Sequence, residues 1–207
     1  MAEAPDFAQT RALLDAKFDR LLVRDRTLLQ SIVAFDVFVG PQMLAVFLGL
    51  SPAAVSTSLS KLKRTGLIRA TPAGEVGISY RVLRDILPAS WRHPGPLEAL
   101  RMAALLIDNG DWYAIARRAE LCVLAGRLEE AVGEFERAGI EAQHRGDLKE
   151  ASRVFSLAIK TAKAAINDPK YMRDRSSDED YLERTAARCR SRAKTVRLKI
   201  QRETSAL

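Results

Sequence analysis

The sequence predicts a mainly α-helical protein in two parts: three helices closed by a short β-hairpin, then a series of packed helical hairpins. Three observations carry this expectation. Residues 41–69 hold the signals of a helix, a glycine-containing turn, a second helix and a strand, in that order. Residues 88–96 place three prolines and a glycine within nine positions, a composition that continues neither a helix nor a central strand. Beyond that break the pattern Gly-x-Leu-x-Glu-Ala-x-x-x-Phe-x-x-Ala occurs twice, as it does where one supersecondary unit repeats.

In chain order, Asp6 to Val23 reads as an amphipathic helix with Phe7, Leu14, Phe18 and Leu21 along one side, the spacing of a helix that buries one stripe. After Arg24-Asp25-Arg26, the more apolar stretch Thr27 to Val39 reads as the first helix of a small domain. Met43 to Leu48 is a short apolar helix ended by Gly49, because glycine accepts the left-handed conformation that closes a helix. Ser51 then caps the next helix and Pro52 fills its first position, where a missing N–H costs nothing.

At 100° per residue Val55, Leu59 and Leu62 share one face of that helix, which must be buried. The opposite face carries Ala53, Thr57, Ser60 and Arg64, with Ser56 and Lys61 flanking it and Lys63 nearer the buried edge. Small hydroxylated side chains let a helix enter a major groove about 12 Å wide, where they bond base edges or phosphates. Gly66 to Ala70 then reads as a strand, Thr71-Pro72-Ala73-Gly74 as a turn, and Val76 to Val82 as a returning strand. No acidic residue lies between Asp36 and Glu75, as a phosphate-facing surface requires.

The stretch from Gln30 to Val82 resembles winged helix-turn-helix regulators of the MarR type. The resemblance rests on Leu44-Ala45-Val46-Phe47-Leu48-Gly49-Leu50-Ser51 and Leu62-Lys63-Arg64-Thr65-Gly66-Leu67-Ile68, which match the family's "LAxxLGLS" and "LxxxGLI" segments. It departs at Val46 and Phe47, where the family carries polar or acidic residues, and in a wing with one arginine before its tip. The resemblance implies a regulator of transcription that reads double-stranded DNA, with a recognition helix at about residues 52–64. Thr57, Ser60, Lys61 and Arg64 would contact bases, while Ser51, Ser56, Lys63 and Arg69 would hold phosphates. In such regulators an extra terminal helix commonly helps to form a homodimer, a role open to residues 1–24 here. The other reading of those residues is a cover for an exposed edge of the domain, residues 25–90.

After the linker, residues 91–96, Leu97–Asp108, Asp111–Ala125, Leu128–Gln143 and Asp147–Ile166 read as helices. The repeated pattern falls on Gly126, Leu128, Glu130, Ala131, Phe135 and Ala138, and again on Gly146, Leu148, Glu150, Ala151, Phe155 and Ala158. Small alanines let helices approach while the phenylalanines fill the groove between them. This part, residues 97–168, resembles tetratricopeptide-repeat proteins, although the glycine breaks near Gly110, Gly126 and Gly146 are unevenly spaced. The resemblance implies oligomerisation or the binding of a protein or peptide, with Trp112 and Tyr113 open to either a core or a partner-facing role.

Residues 169–207 comprise a polar connection and a last helix. Leu182, Ala186, Cys189, Ala193, Val196 and Ile200 recur along it at spacings of four and three, a narrow seam for packing on another helix. From Arg184 to Arg202 there are eight basic residues and no acidic one, Arg184, Arg188, Arg192 and Lys199 on one face. Such a helix caps the fold with a solvated basic face, makes a second DNA-phosphate contact, or forms a coiled-coil arm.

The net charge of +7 and pI near 9.7 suit a nucleic-acid partner, and would serve an anionic membrane or an acidic protein equally. No apolar run is long enough for a bilayer and the N-terminus lacks the features of a signal peptide, so a cytoplasmic protein without a membrane partner is expected. Cys122 and Cys189 have no metal-ligand or redox spacing, which leaves them as reduced packing thiols. There is no phosphate-binding glycine loop, nucleophile motif or His/Cys cluster, and the expectation is therefore no enzyme, no metal and no cofactor. Two alternative readings share these residues: a protein-assembly adaptor whose working surface is the helical-repeat half, and a replication or partition factor that binds DNA.

Overall fold

Residues 16–79, 91, 93–106, 111–169, 171 and 179–205 are described by a computed structural model, which is mainly helical with one small antiparallel sheet. The chain divides after Pro94 into two compact units.

In the N-terminal unit a helical turn at residues 16–19 precedes α1 (Val23–Phe35), α2 (Pro41–Leu48) and α3 (Pro52–Arg64), and then β1 (Ile68–Ala70) and β2 (Val76–Ile78). The helix expected at Thr27–Val39 starts four residues earlier and stops four earlier. Asp36, at φ 54°, closes α1 in the left-handed conformation, and the residues after it turn extended. Val39 forms an isolated antiparallel bridge with Val76, each N–H donating to the other's carbonyl at 2.9 Å. A run of β-branched and aromatic residues, Val37-Phe38-Val39, suits that extended edge better than a helix. Of the leading helix, residues 6–15 lie outside the described residues, and the chain breaks helicity at Arg20 to Leu22. Val82, the far end of the expected returning strand, also lies outside them.

The unit buries Leu28, Ile32 and Phe35 of α1, Leu44 and Phe47 of α2, Val55, Leu59 and Leu62 of α3, and Ile68 and Val76 of the hairpin. Phe35 and Phe47 meet edge to face at 5.3 Å, the arrangement the ring quadrupoles favour. Gly49 ends α2 at φ 64°, a conformation that a side chain with Cβ adopts only under strain, and Ser51 Oγ accepts the Ala54 N–H at 3.3 Å to cap α3.

The C-terminal unit consists of α4 (Pro96–Leu105), α5 (Trp112–Leu124), α6 (Leu128–His144), α7 (Leu148–Ile166) and α8 (Glu179–Ser205). Each helix packs on the one before it, and α8 also touches α6. Gly126 and Gly146 turn the chain at φ 74° and 80°. The repeated Ala131, Phe135, Ala138 and Ala151, Phe155, Ala158 are all buried, so both copies of the pattern serve the same inward face. Gly139, which the sequence reading passed over, decides how closely α6 and α7 approach. A Cβ there would stand 2.6 Å from the Phe155 ring, and that ring is fully buried.

The seam of α8 is occupied within the chain. Leu182 and Ala186 join Val132, Ala162 and Ala165 in one apolar cluster, and Cys189, Ala193 and Val196 are buried as well. This packing leaves no apolar stripe for a coiled-coil arm. Burial pushes the Cys122 thiol from an ordinary 9.0 to about 11 and the Cys189 thiol to about 12, because the thiolate is poorly solvated there. A proton held more tightly in the folded state stabilises the fold fully below about pH 8, an advantage lost as pH climbs through the raised values. Ellman's reagent at pH 8 should accordingly label neither cysteine of the folded chain on the timescale in which it labels both in denaturant. Rapid native labelling would mean that these helices open readily.

Candidate nucleic-acid interface

The helix α3 exists as a separate element because Gly49 stops α2 and Ser51-Pro52 starts a new helix, and the pair of helices turns through 116° at that break. Burying Val55, Ser58, Leu59 and Leu62 against the unit leaves the other side of α3 outward. Ser51, Ala53, Ser56, Thr57, Ser60, Lys63 and Arg64 are all exposed. Thr57 Oγ1 donates to the Ala53 carbonyl and Ser60 Oγ to the Ser56 carbonyl, each at 2.9 Å. Their protons are thus parked on the helix while their lone pairs stay available to a donor. Arg64 folds back weakly, its Nε 3.4 Å from the Ser60 carbonyl, and Lys63 makes no ion pair among the described residues.

Lys61 is placed differently from its expected role. Its ammonium lies 3.8 Å from Asp25 Oδ2 at the start of α1, and the Asp25 side chain is only 3% exposed. Arg24 lies 4.0 Å from the other carboxylate oxygen, and its Nε donates to Ser58 Oγ at 3.1 Å. These two contacts pin α3 to α1 through charge as well as apolar packing, and a buried carboxylate is tolerable only with such partners. The acid-free window is therefore a property of the sequence alone. Folding brings an acid from outside the window against one of its lysines and leaves Lys63 and Arg64 as the free cations at the end of α3.

Arg69 is exposed on β1, with its guanidinium 5.0 Å from the centre of the Phe38 ring, a cation–π contact. The same ring lies over Gly77, the cross-strand partner of Arg69, where a Cβ would meet it at 3.1 Å. Phe38 thus orients Arg69, the single arginine among the described residues of the hairpin. At the hairpin tip Thr71 Oγ1 accepts the Glu75 N–H at 3.2 Å, and Pro72, Ala73 and Gly74 present no charge.

Of the residues expected to face DNA, the fold gathers Ser56, Thr57, Ser60, Lys63 and Arg64 on one surface of α3, with Ser51 at its start. It turns Lys61 toward α1 and sets Arg69 apart on β1. Asp25, Arg24, Ser58 and Phe38 escaped the sequence reading. Ser58 had a usable signal, since it stands three residues after Val55 and four before Leu62, inside the apolar stripe. Asp25 had none, because its partner comes from another helix.

On the last helix Arg184, Arg192 and Lys199 are exposed. Arg188 is committed to Glu136 of α6 through two bonds of 2.9 Å, a forked pairing that holds α8 on α6. Among the described residues no group of His, Cys, Asp and Glu could hold a metal ion, and no single helix is long and apolar enough to cross a membrane. Trp112 and Tyr113 stack edge to face at 5.6 Å and are half-buried. No family model, curated protein or solved structure matches the chain.

Proposed function

We propose that the N-terminal unit is a winged helix-turn-helix that binds double-stranded DNA in a sequence-specific manner, with α3 as the recognition helix, and that the protein is a transcriptional regulator. The supporting observation is the 116° turn between α2 and α3, within the range of about 90–120° at which such helix pairs present their second helix to a major groove. That second helix offers small hydroxyl side chains along its middle and two cations at its end, with no exposed acid along its length. In this reading Thr57, Ser60 and Arg64 meet base edges, Ser51, Ser56, Lys63 and Arg69 meet phosphates, and Lys61 holds the helix rather than the DNA. The helical hairpins of the C-terminal unit, tetratricopeptide-like in pattern, would serve oligomerisation or a protein partner.

The test is anisotropy of a labelled mixed-sequence duplex with the full chain and with Lys63→Ala/Arg64→Ala, across a range of salt. Wild-type binding should weaken steeply with salt. The variant should lose at least about tenfold in affinity, through the base contact of Arg64 and the phosphate contact of Lys63, and flatten the log–log slope by about one unit for the latter. Both side chains are exposed, so the variant should melt as the wild type does. Identical slopes for the two folded proteins would remove α3 from any DNA interface.

A further inference from the structure

The two halves of the sequence carry similar net charge: 12 basic and 8 acidic residues up to Gly95, and 21 and 18 after it. Folding does not distribute that charge evenly. Residues 151–166 and 184–202 together hold eleven basic residues and no acidic one, against totals of 33 and 26 for the chain, so the remainder has 22 basic and 26 acidic. These two stretches make up most of α7 and α8, which pack directly against each other. The earlier part of the same unit, residues 96–144, has five basic and nine acidic residues. The C-terminal unit is thus electrically polarised, and its last two helices together carry a net charge equal to the +7 of the entire molecule.

Little of this charge is neutralised internally. Arg153 pairs with Glu150 at 2.6 Å and Arg188 with Glu136 at 2.9 Å. The other nine cations are exposed and have no carboxylate partner among the described residues. Along α8, Arg184, Arg188 and Arg192 succeed one another at four-residue intervals, as do Arg190 and Lys194, an arrangement in which like charges repel. A surface that only needed solubility would intersperse acids among the cations.

We propose that the exposed side of α7 and α8 is a second nucleic-acid surface, one that docks the phosphate backbone of a duplex without reading its sequence. Arg184 to Arg202 spans about 27 Å at 1.5 Å per residue, and a duplex presents one negative charge per about 1.7 Å of axis, so a single helix face can follow several phosphates. Arg197 shows how such a side chain is held. Its guanidinium rests 3.4 Å from the hydroxyls of Ser152 and Ser156 on α7, with no acid to displace. An anionic membrane is a poorer fit, because interfacial helices insert an apolar face. The apolar seam of α8 is buried, and its solvent side offers Leu198 as the one large exposed hydrophobic residue.

This surface lies in the other unit from α3 and does not depend on the reading of α3. The experiment compares the full-length wild type, Arg190→Gln/Lys194→Gln/Arg197→Gln, three exposed cations on the flank of α8 that adjoins α7, and Lys63→Ala/Arg64→Ala for binding to mixed-sequence duplex DNA over a range of salt. The triple variant should flatten the log–log slope by about two to three units, at about 0.9 per phosphate contact. It should lose affinity equally for all sequences and keep its helicity and melting temperature. A folded triple variant with the wild-type slope overturns the proposal. So do anionic phospholipid vesicles or polyglutamate that bind the wild type more tightly than the duplex does. If α3 is no DNA reader, the Lys63/Arg64 variant keeps the wild-type slope while the triple variant still loses its own share, which separates the two failures.

Discussion

Gly139→Val should destabilise the C-terminal unit by about 3 kcal/mol, near the upper end of what overpacking a filled core costs. Three atoms of the Phe155 ring lie between 2.6 and 3.0 Å from the position a Cβ would take. The ring has nowhere to go, because Phe155 has no exposed surface, and neither do Ala138 and Ala142 on the helix of Gly139 or Ala158 one turn along α7. The helices must therefore separate, which loses contacts along both. Urea denaturation followed by circular dichroism measures the effect. Phe155→Leu removes the ring edge at the cost of a partial cavity, and in that background the valine should cost less. Equal costs for Gly139→Val with and without the ring would mean that glycine serves some other need there.

Lys61→Met should destabilise the N-terminal unit by about 2 kcal/mol, and Asp25→Asn by clearly less. The asymmetry follows from burial. Removing Lys61 strands a carboxylate that is 3% exposed with Arg24 at 4.0 Å as its remaining cation, and an under-paired buried charge is the costly outcome. Removing the charge of Asp25 instead releases Lys61 and Arg24, whose side chains are 41% and 43% exposed and reach water readily. Solvent at both cations screens the pair, which holds the cost of the first variant below the 3–5 kcal/mol of a fully enclosed ion pair. Thermal melts of the two variants give the comparison. Lys61→Met melting with the wild type would show that Arg24 alone satisfies Asp25.

The contrast between Lys61 and Arg64 also bears on how the proposed DNA surface is tested. Both sit near the end of α3 and look alike in the sequence. In the proposed reading, substituting Lys61 would weaken DNA binding by loosening α3 from α1, whereas substituting Lys63 and Arg64 removes cations with no ion pair among the described residues. For that reason the latter pair carries the binding experiment.

The sequence by itself determined what is local. The spacing of apolar residues marks the inward faces of α3, α6, α7 and α8, and the signals at Gly49, Ser51 and Pro52 divide α2 from α3. Backbone torsions and cap hydrogen bonds are settled by neighbours a few residues away, so a reader of the chain meets cause and effect together. The end of α1 was misplaced because Val37 to Val39 can continue a helix or join a sheet, and the choice rests with Val76, a residue far along the chain. Only the tertiary structure decided the fate of the charges. Asp25 meets Lys61, Arg188 meets Glu136, and eleven cations from separate stretches of sequence come together on two adjoining helices. Electrostatic energy depends on distance in space and on the water between groups, and neither quantity is written in the spacing of residues along a chain.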